Sequence, residues 1–361
     1  MNCIVSFLTA LVMFLFPTVN VSKIAVDQST WKTDYAFVYC HGLSGWGSYD
    51  LQNAVMPYWG MFGGDMIKNL NALGYRCYAA SVDPDGSTWD RACELYAQLM
   101  GVRVDYGKAH SEKYGHARYG RDFSKKPLIS SWSGEDKINL LGHSFGGATV
   151  RLLAGLMANG DRAEIEATPE TELSPLFTGG KGDWIYSITT LAAPTNGTTA
   201  YGFGDPEALE NHDTAAYDMH IDCALALNER IPTDAHTYYF AVPCSATVQG
   251  ADGSWAFDPT INVEFPVKST GDRMMNLTGT TPGGYVVDES WLENDGMVNT
   301  ISAGAPFNAP SQPLDRSHVL PGVWNVAPVY RGDHMAFCGD LFRPHNIRPF
   351  FADWMNMINE I

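Results

Sequence analysis

Basic residues are scarce in this sequence, and the shortage excludes several classes of protein. Among 361 residues, 23 Lys plus Arg face 40 Asp plus Glu, a formal net charge of -17. Nucleic-acid binding needs clustered cations that displace phosphate counterions, so nucleic acid is excluded as a partner and anionic lipid surfaces are disfavoured. Apolar runs of membrane-spanning length are also missing. The longest, Ile4 to Val19, falls short of the roughly 20 residues that cross a bilayer, so stable membrane insertion is not expected. The 7 cysteines contain no C-x-x-C pair and no dense framework, and scattered core thiols account for them at least as well as disulfides. No internal repeat and no Ser/Gly- or Pro-rich linker divides the chain.

What is present is a composition able to fold. With 45% hydrophobic and only 17% charged residues, the chain can bury a sizeable core and lies far from disordered compositions. The short apolar run at the start reads as the core of a signal peptide over residues 1–22, with cleavage near Ser22 or Ala25. That leaves 23–361 as one elaborated domain of an exported protein. Tyr35 to Cys40, Arg76 to Val82, Lys137 to Leu141, Trp184 to Leu191 and Thr237 to Val242 read as buried strands bounded by turn residues. Helical spacing of apolar residues recurs in Trp89 to Met100 and Gly147 to Met157. Strands alternating with helices predict an α/β fold with a mostly parallel sheet covered on both faces. Residues 84–123, rich in Tyr, Gly, His and Arg, read as an insertion without a core of its own.

Gly142-His143-Ser144-Phe145-Gly146 lies between a strand pattern and a helix pattern. This is the context of a nucleophile elbow, in which a strained turn presents serine and crowding two residues on either side demands glycine. The same turn sets the N–H of Phe145 at a helix N-terminus, where it can donate to a developing oxyanion. A second donor is expected from the loop after the first strand, His41-Gly42-Leu43-Ser44-Gly45-Trp46, through the N–H of Leu43. In this fold the acid and then the histidine follow the serine. Asp295, in the polar turn Glu293-Asn294-Asp295-Gly296, and His334, in Gly332-Asp333-His334-Met335, form the leading pair. Asp333, His318 and His345 remain as alternatives on spacing alone.

His110 and His116 form a second constellation. Six residues turn a helix through about 240°, so a loop must bring the two rings together. With carboxylates they would make a closed tetrahedral zinc site that clips the insertion, Asp90 being one acidic ligand available. Solvated surface histidines are the simpler explanation of the same residues.

The chain resembles the zinc-containing bacterial lipases of the Bacillus and staphylococcal type. The most specific stretch is Trp89-Asp90-Arg91-Ala92-Cys93-Glu94-Leu95-Tyr96-Ala97-Gln98-Leu99, followed by Val104-Asp105-Tyr106-Gly107 and Gly115-His116-Ala117-Arg118-Tyr119-Gly120-Arg121. Asp213-Thr214-Ala215-Ala216-Tyr217-Asp218 and Trp291-Leu292-Glu293-Asn294-Asp295-Gly296-Met297-Val298-Asn299-Thr300 extend it. The resemblance implies an α/β-hydrolase fold and a secreted serine ester hydrolase acting on neutral esters such as acylglycerols, or on polymeric esters. It implies Ser144, Asp295 and His334 as the triad, Leu43 and Phe145 as oxyanion donors, and Asp90, His110, His116 and Asp213 as ligands of a structural zinc. Two departures stand out. Such lipases place a calcium-binding Glu two residues after the catalytic histidine, but Ala336 occupies that position, which argues against calcium; Asp340 is the nearest substitute. They also carry a long helical lid, whereas residues 195–212 are too few for one, so weak interfacial activation is expected. Two other readings fit less well: a zinc-dependent hydrolase using His110 and His116, and a non-catalytic binding module on a hydrolase scaffold.

Overall fold

The computed structural model describes residues 24–340 and 345–361. The expected signal peptide, 1–22, lies outside the described residues. Seven parallel strands make the central sheet. They include β1 (Ala36–Cys40), β2 (Cys77–Ala80), β5 (Ile138–His143), β6 (Ile185–Leu191) and β7 (Tyr238–Val242), and they coincide with the five predicted runs. Two short strands, β8 (Ser311–Pro313) and β9 (Trp324–Val326), complete the order β8-β9-β7-β6-β5-β1-β2. Those two were not legible in the sequence, since each has only three residues and both lie at the sheet's far edge.

Side-chain alternation divides the interior into two layers. On β1, Ala36, Val38 and Cys40 enter one core while Phe37 and Tyr39 enter the other, the period-2 consequence of a strand buried on both faces. Helix α1 (Met66–Ala72) and the C-terminal helix (Arg348–Asn359) cover the second face through Met66, Leu70, Phe351, Trp354 and Met355. Helices α2 (Thr88–Met100) and α4 (Gly146–Asn159) cover the first. Ser87 caps α2 by accepting from the N–H of Asp90, and Gly101, at φ 63°, ends it. Both features follow from residue type, a serine hydroxyl for the free N–H groups and a glycine for the left-handed C-terminal position.

Within residues 84–123, α2 packs in the main core, where Ala92, Cys93, Leu95, Ala97 and Leu99 are buried. The remainder is an antiparallel ribbon of β3 (Arg103–Asp105) and β4 (Tyr119–Asp122) flanking α3 (Lys108–Tyr114), with Val104 and Phe123 buried in the same core. Residues 195–212 contain two 3-10 turns, Thr199–Tyr201 and Pro206–Ala208, and no α-helix. All six cysteines in the described residues are free, and five are buried. Among the described residues no helix is long and apolar enough to cross a membrane.

Strand order also places the site. From β1 the chain moves outward to β2, then returns to β5 on the other side and continues to β6. The loops leaving β1 and β5 therefore diverge at their C-terminal ends, the position where open α/β sheets form a binding crevice.

Candidate active site

Ser144 stands at the turn between β5 and α4 with φ 54°, a left-handed conformation that costs a non-glycine residue energy. The turn closes tightly. A Cβ on Gly142 would lie 2.3 Å from the Gly146 carbonyl oxygen, and one on Gly146 would lie 2.3 Å from that of Cys40. Neither position accepts a side chain, the physical reason for glycine at that spacing.

His334 lies beside the serine. Its Nε2 is 2.8 Å from Ser144 Oγ and its Nδ1 is 2.8 Å from Asp295 Oδ2. The other Asp295 oxygen accepts from the N–H groups of Met297 and Val298 at 2.9 and 2.8 Å, so the fully buried carboxylate is satisfied as an anion. Burial works against protonation of His334, but the charge and hydrogen bond of Asp295 outweigh it and hold the imidazole pKa above its ordinary value. The alternatives are engaged elsewhere. Asp333 accepts from the N–H groups of Glu264 and Met335, His345 pairs with Asp340, and His318 is exposed on a turn.

The loop after β1 approaches from the opposite side. Leu43 and the buried Phe145 pack in one small cluster with Ala215 and Met219. No protein acceptor takes the N–H of Leu43 or Phe145 among the described residues, which leaves two donors available near the serine. Sequence reasoning missed the hydrogen-bonded links that hold this arrangement. His143 Nε2 donates to the carbonyl of His334 at 2.8 Å, its Nδ1 accepts from the Tyr58 hydroxyl at 2.6 Å, and Tyr58 accepts from the N–H of Gly42 at 3.1 Å. Burial, then the neighbouring His334, lowers the His143 pKa to about 3, so this imidazole serves as a neutral connector. The variable position inside the elbow motif was the one available clue.

A second cluster gathers all four expected ligand residues. Atoms of Asp90, His110, His116 and Asp213 lie within 4.8 Å of one another. His110 Nε2 is 3.2 Å from Asp90 and 3.3 Å from Asp213, and His116 Nε2 is 3.2 Å from Asp213. Buried atoms of every member lack a hydrogen-bond partner: Asp90 Oδ1, His110 Nε2, His116 Nε2 and Asp213 Oδ1. His116 donates its Nδ1 proton to the Ala117 carbonyl, which leaves Nε2 as a bare lone pair facing carboxylates. Converging acceptors of this kind suit a metal ion. The cluster brings the ribbon together with α2 and with the segment starting at Asp213, whose Ala215 and Met219 reach Phe145. At the calcium position of the resemblance, Ala336 is a buried residue without a donor atom, and Asp340 Oδ2 is occupied by His345.

Comparison with known proteins identifies the family. The family model of the lipase-like C-terminal domain matches residues 33–211 and 205–356. Lipase 2 of Staphylococcus aureus is 33% identical over 89% of this chain and 52% of its own length, so the chain spans about half of that relative. Among solved structures, EstA from Clostridium botulinum is 28% identical with a TM-score of 0.82, covering 99% of this chain and 97% of its own. Staphylococcus hyicus lipase is 28% identical with a TM-score of 0.80, covering 92% and 97%. With an α/β-hydrolase sheet and matches along most of its length, the chain belongs to the family of lipase-like C-terminal domains.

Proposed function

We propose that this protein is a secreted serine carboxylic-ester hydrolase of the lipase and esterase type. The observation that carries the reading is the continuous Ser144–His334–Asp295 relay at the elbow. Ser144 Oγ passes its proton to His334 Nε2 and attacks the ester carbonyl. The N–H groups of Leu43 and Phe145 stabilise the tetrahedral oxyanion, and Asp295 holds the imidazole in the tautomer that accepts at Nε2. The imidazolium then protonates the leaving alcohol, and water repeats the sequence to release the acid. The names of the lipase and esterase relatives support this reaction class.

Zinc would be held by Asp90, His110, His116 and Asp213, where it supplies a structural cross-link. Four protein ligands leave no open coordination position for a reacting water. Residues 195–212 have no helix to cover the crevice, so the enzyme acts on dispersed neutral esters with little interfacial activation. The net charge of -17 disfavours anionic surfaces. A serine-directed phosphonate tests the assignment: it abolishes activity at once and labels Ser144, while a chelator leaves the initial rate intact. Immediate loss with chelator and resistance to the phosphonate would instead favour metal-dependent hydrolysis.

A further inference from the structure

We infer that Arg91 is a positioning residue that fixes both halves of the oxyanion site, an inference that rests on the serine-hydrolase reading above. Arg91 lies on α2 and is fully buried. Its Nη2 donates to the His41 carbonyl at 2.5 Å, Nη1 to the Asp83 carbonyl at 2.8 Å and Nε to Thr149 Oγ1 at 2.9 Å. The guanidinium carbon lies 5.0 Å from the centre of the Phe145 ring. One cation therefore holds the residue that begins the Leu43 loop and stacks on the residue that supplies the other donor.

His41 extends the link. Its Nε2 accepts from the N–H of Val82 at 3.2 Å, which sets the proton on Nδ1, and Nδ1 donates to the Gly42 carbonyl at 2.8 Å. That carbonyl belongs to the same peptide as the Leu43 N–H. A donor at its oxygen both fixes the peptide plane and polarises the N–H toward a developing negative charge. Burial and the positive charge of Arg91 together lower the His41 pKa to about 3, so the ring stays neutral and keeps this single tautomer.

Among the described residues no carboxylate forms an ion pair with Arg91. Carbonyls, a hydroxyl, the Cys40 sulfur and an aromatic face surround its charge instead. Burying a cation without a counter-ion is costly for stability. Here the charge is retained against the two segments that carry the proposed oxyanion donors, at the His41 carbonyl and the Phe145 ring.

The test compares Arg91→Lys with Arg151→Lys. Arg151 is a second buried arginine, and it contacts Asn228 and Trp324 away from the oxyanion loop. Each variant is assayed on a p-nitrophenyl ester and titrated by fluorine NMR as the Ser144 hemiketal of a trifluoromethyl ketone, whose pKa reports oxyanion stabilisation. Arg91→Lys is expected to lower kcat by about tenfold or more with KM within about twofold, and to raise the hemiketal pKa. Arg151→Lys is expected to lower Tm without moving the hemiketal pKa. Should Arg91→Lys fail to fold, His41→Gln removes the Nδ1 donor and is expected to raise the hemiketal pKa in the same way. An unchanged kcat and hemiketal pKa in the folded Arg91 variant, or in His41→Gln, overturns the inference. An active Ser144→Ala enzyme overturns the serine reading beneath it, so the two failures are distinct.

Discussion

A Cβ placed on Gly42 would lie 2.7 Å from the Cβ of Ser144 and 3.1 Å from the Tyr58 hydroxyl. The loop proposed to supply an oxyanion donor thus meets the Ser144 turn with no room for a side chain, and the same glycine N–H is bonded to Tyr58. Gly42→Ala must push the Leu43 N–H away from the reacting carbonyl. Because small misplacements of catalytic groups cost rate steeply, kcat is expected to fall about tenfold to a hundredfold. Thermal unfolding should move by only a few degrees. A variant with full kcat would show that this loop does not contribute to the oxyanion site.

The His334–Asp295 pair sets the pH dependence. In the proposed mechanism His334 acts as base only when its imidazole is neutral, and its pKa lies above the ordinary 6.5 because of Asp295. Activity is therefore lost as pH falls through that raised value, and the acid limb of kcat/KM lies above pH 6.5. Asp295→Asn removes the charge that raises the pKa, so the residual limb moves to lower pH. It also removes the tautomer control, and kcat should fall by about four orders of magnitude. Steady-state kinetics across pH check both expectations.

Metal removal should act on stability before catalysis. The four proposed ligands join α2, the ribbon and the segment that packs on Phe145. Binding to the folded state alone makes Tm depend on metal concentration. Dialysis against chelator is expected to lower Tm by about 5 °C or more while the initial rate at 25 °C persists, and Asp213→Asn should reduce the bound zinc measured by mass spectrometry. A Tm indifferent to chelator would contradict the structural role.

Without an α-helix in 195–212, the rate on a short-chain triacylglycerol should rise smoothly with concentration through its solubility limit. A sharp increase above that limit would indicate a closing element that the present reading lacks.

Much of this was visible in the sequence because the chemistry is local. Gly142, Ser144 and Gly146 lie within five residues and gain meaning from the strand before them and the helix after them, and the five long strands have apolar runs. The acid was not legible on its own: Asp295 and Asp333 both sit in polar turns, and only the fold shows that Asp333 spends its oxygens on backbone N–H groups. The metal site was ambiguous for the same reason, since His110 and His116 converge through a turn at Gly115, whose φ is 75°, and Asp213 comes from distant sequence. Arg91 and Tyr58 were missed because their partners, main-chain groups such as the His41 carbonyl and the Gly42 N–H together with side chains far away in sequence, leave no local pattern in residue identities.

The most direct test of the central claim is the kcat of Ser144→Ala on a p-nitrophenyl ester, measured on folded protein with an unchanged Tm. The Ser144–His334–Asp295 account predicts a loss of about 10⁴-fold or more. Retention of more than about a hundredth of the activity would contradict it.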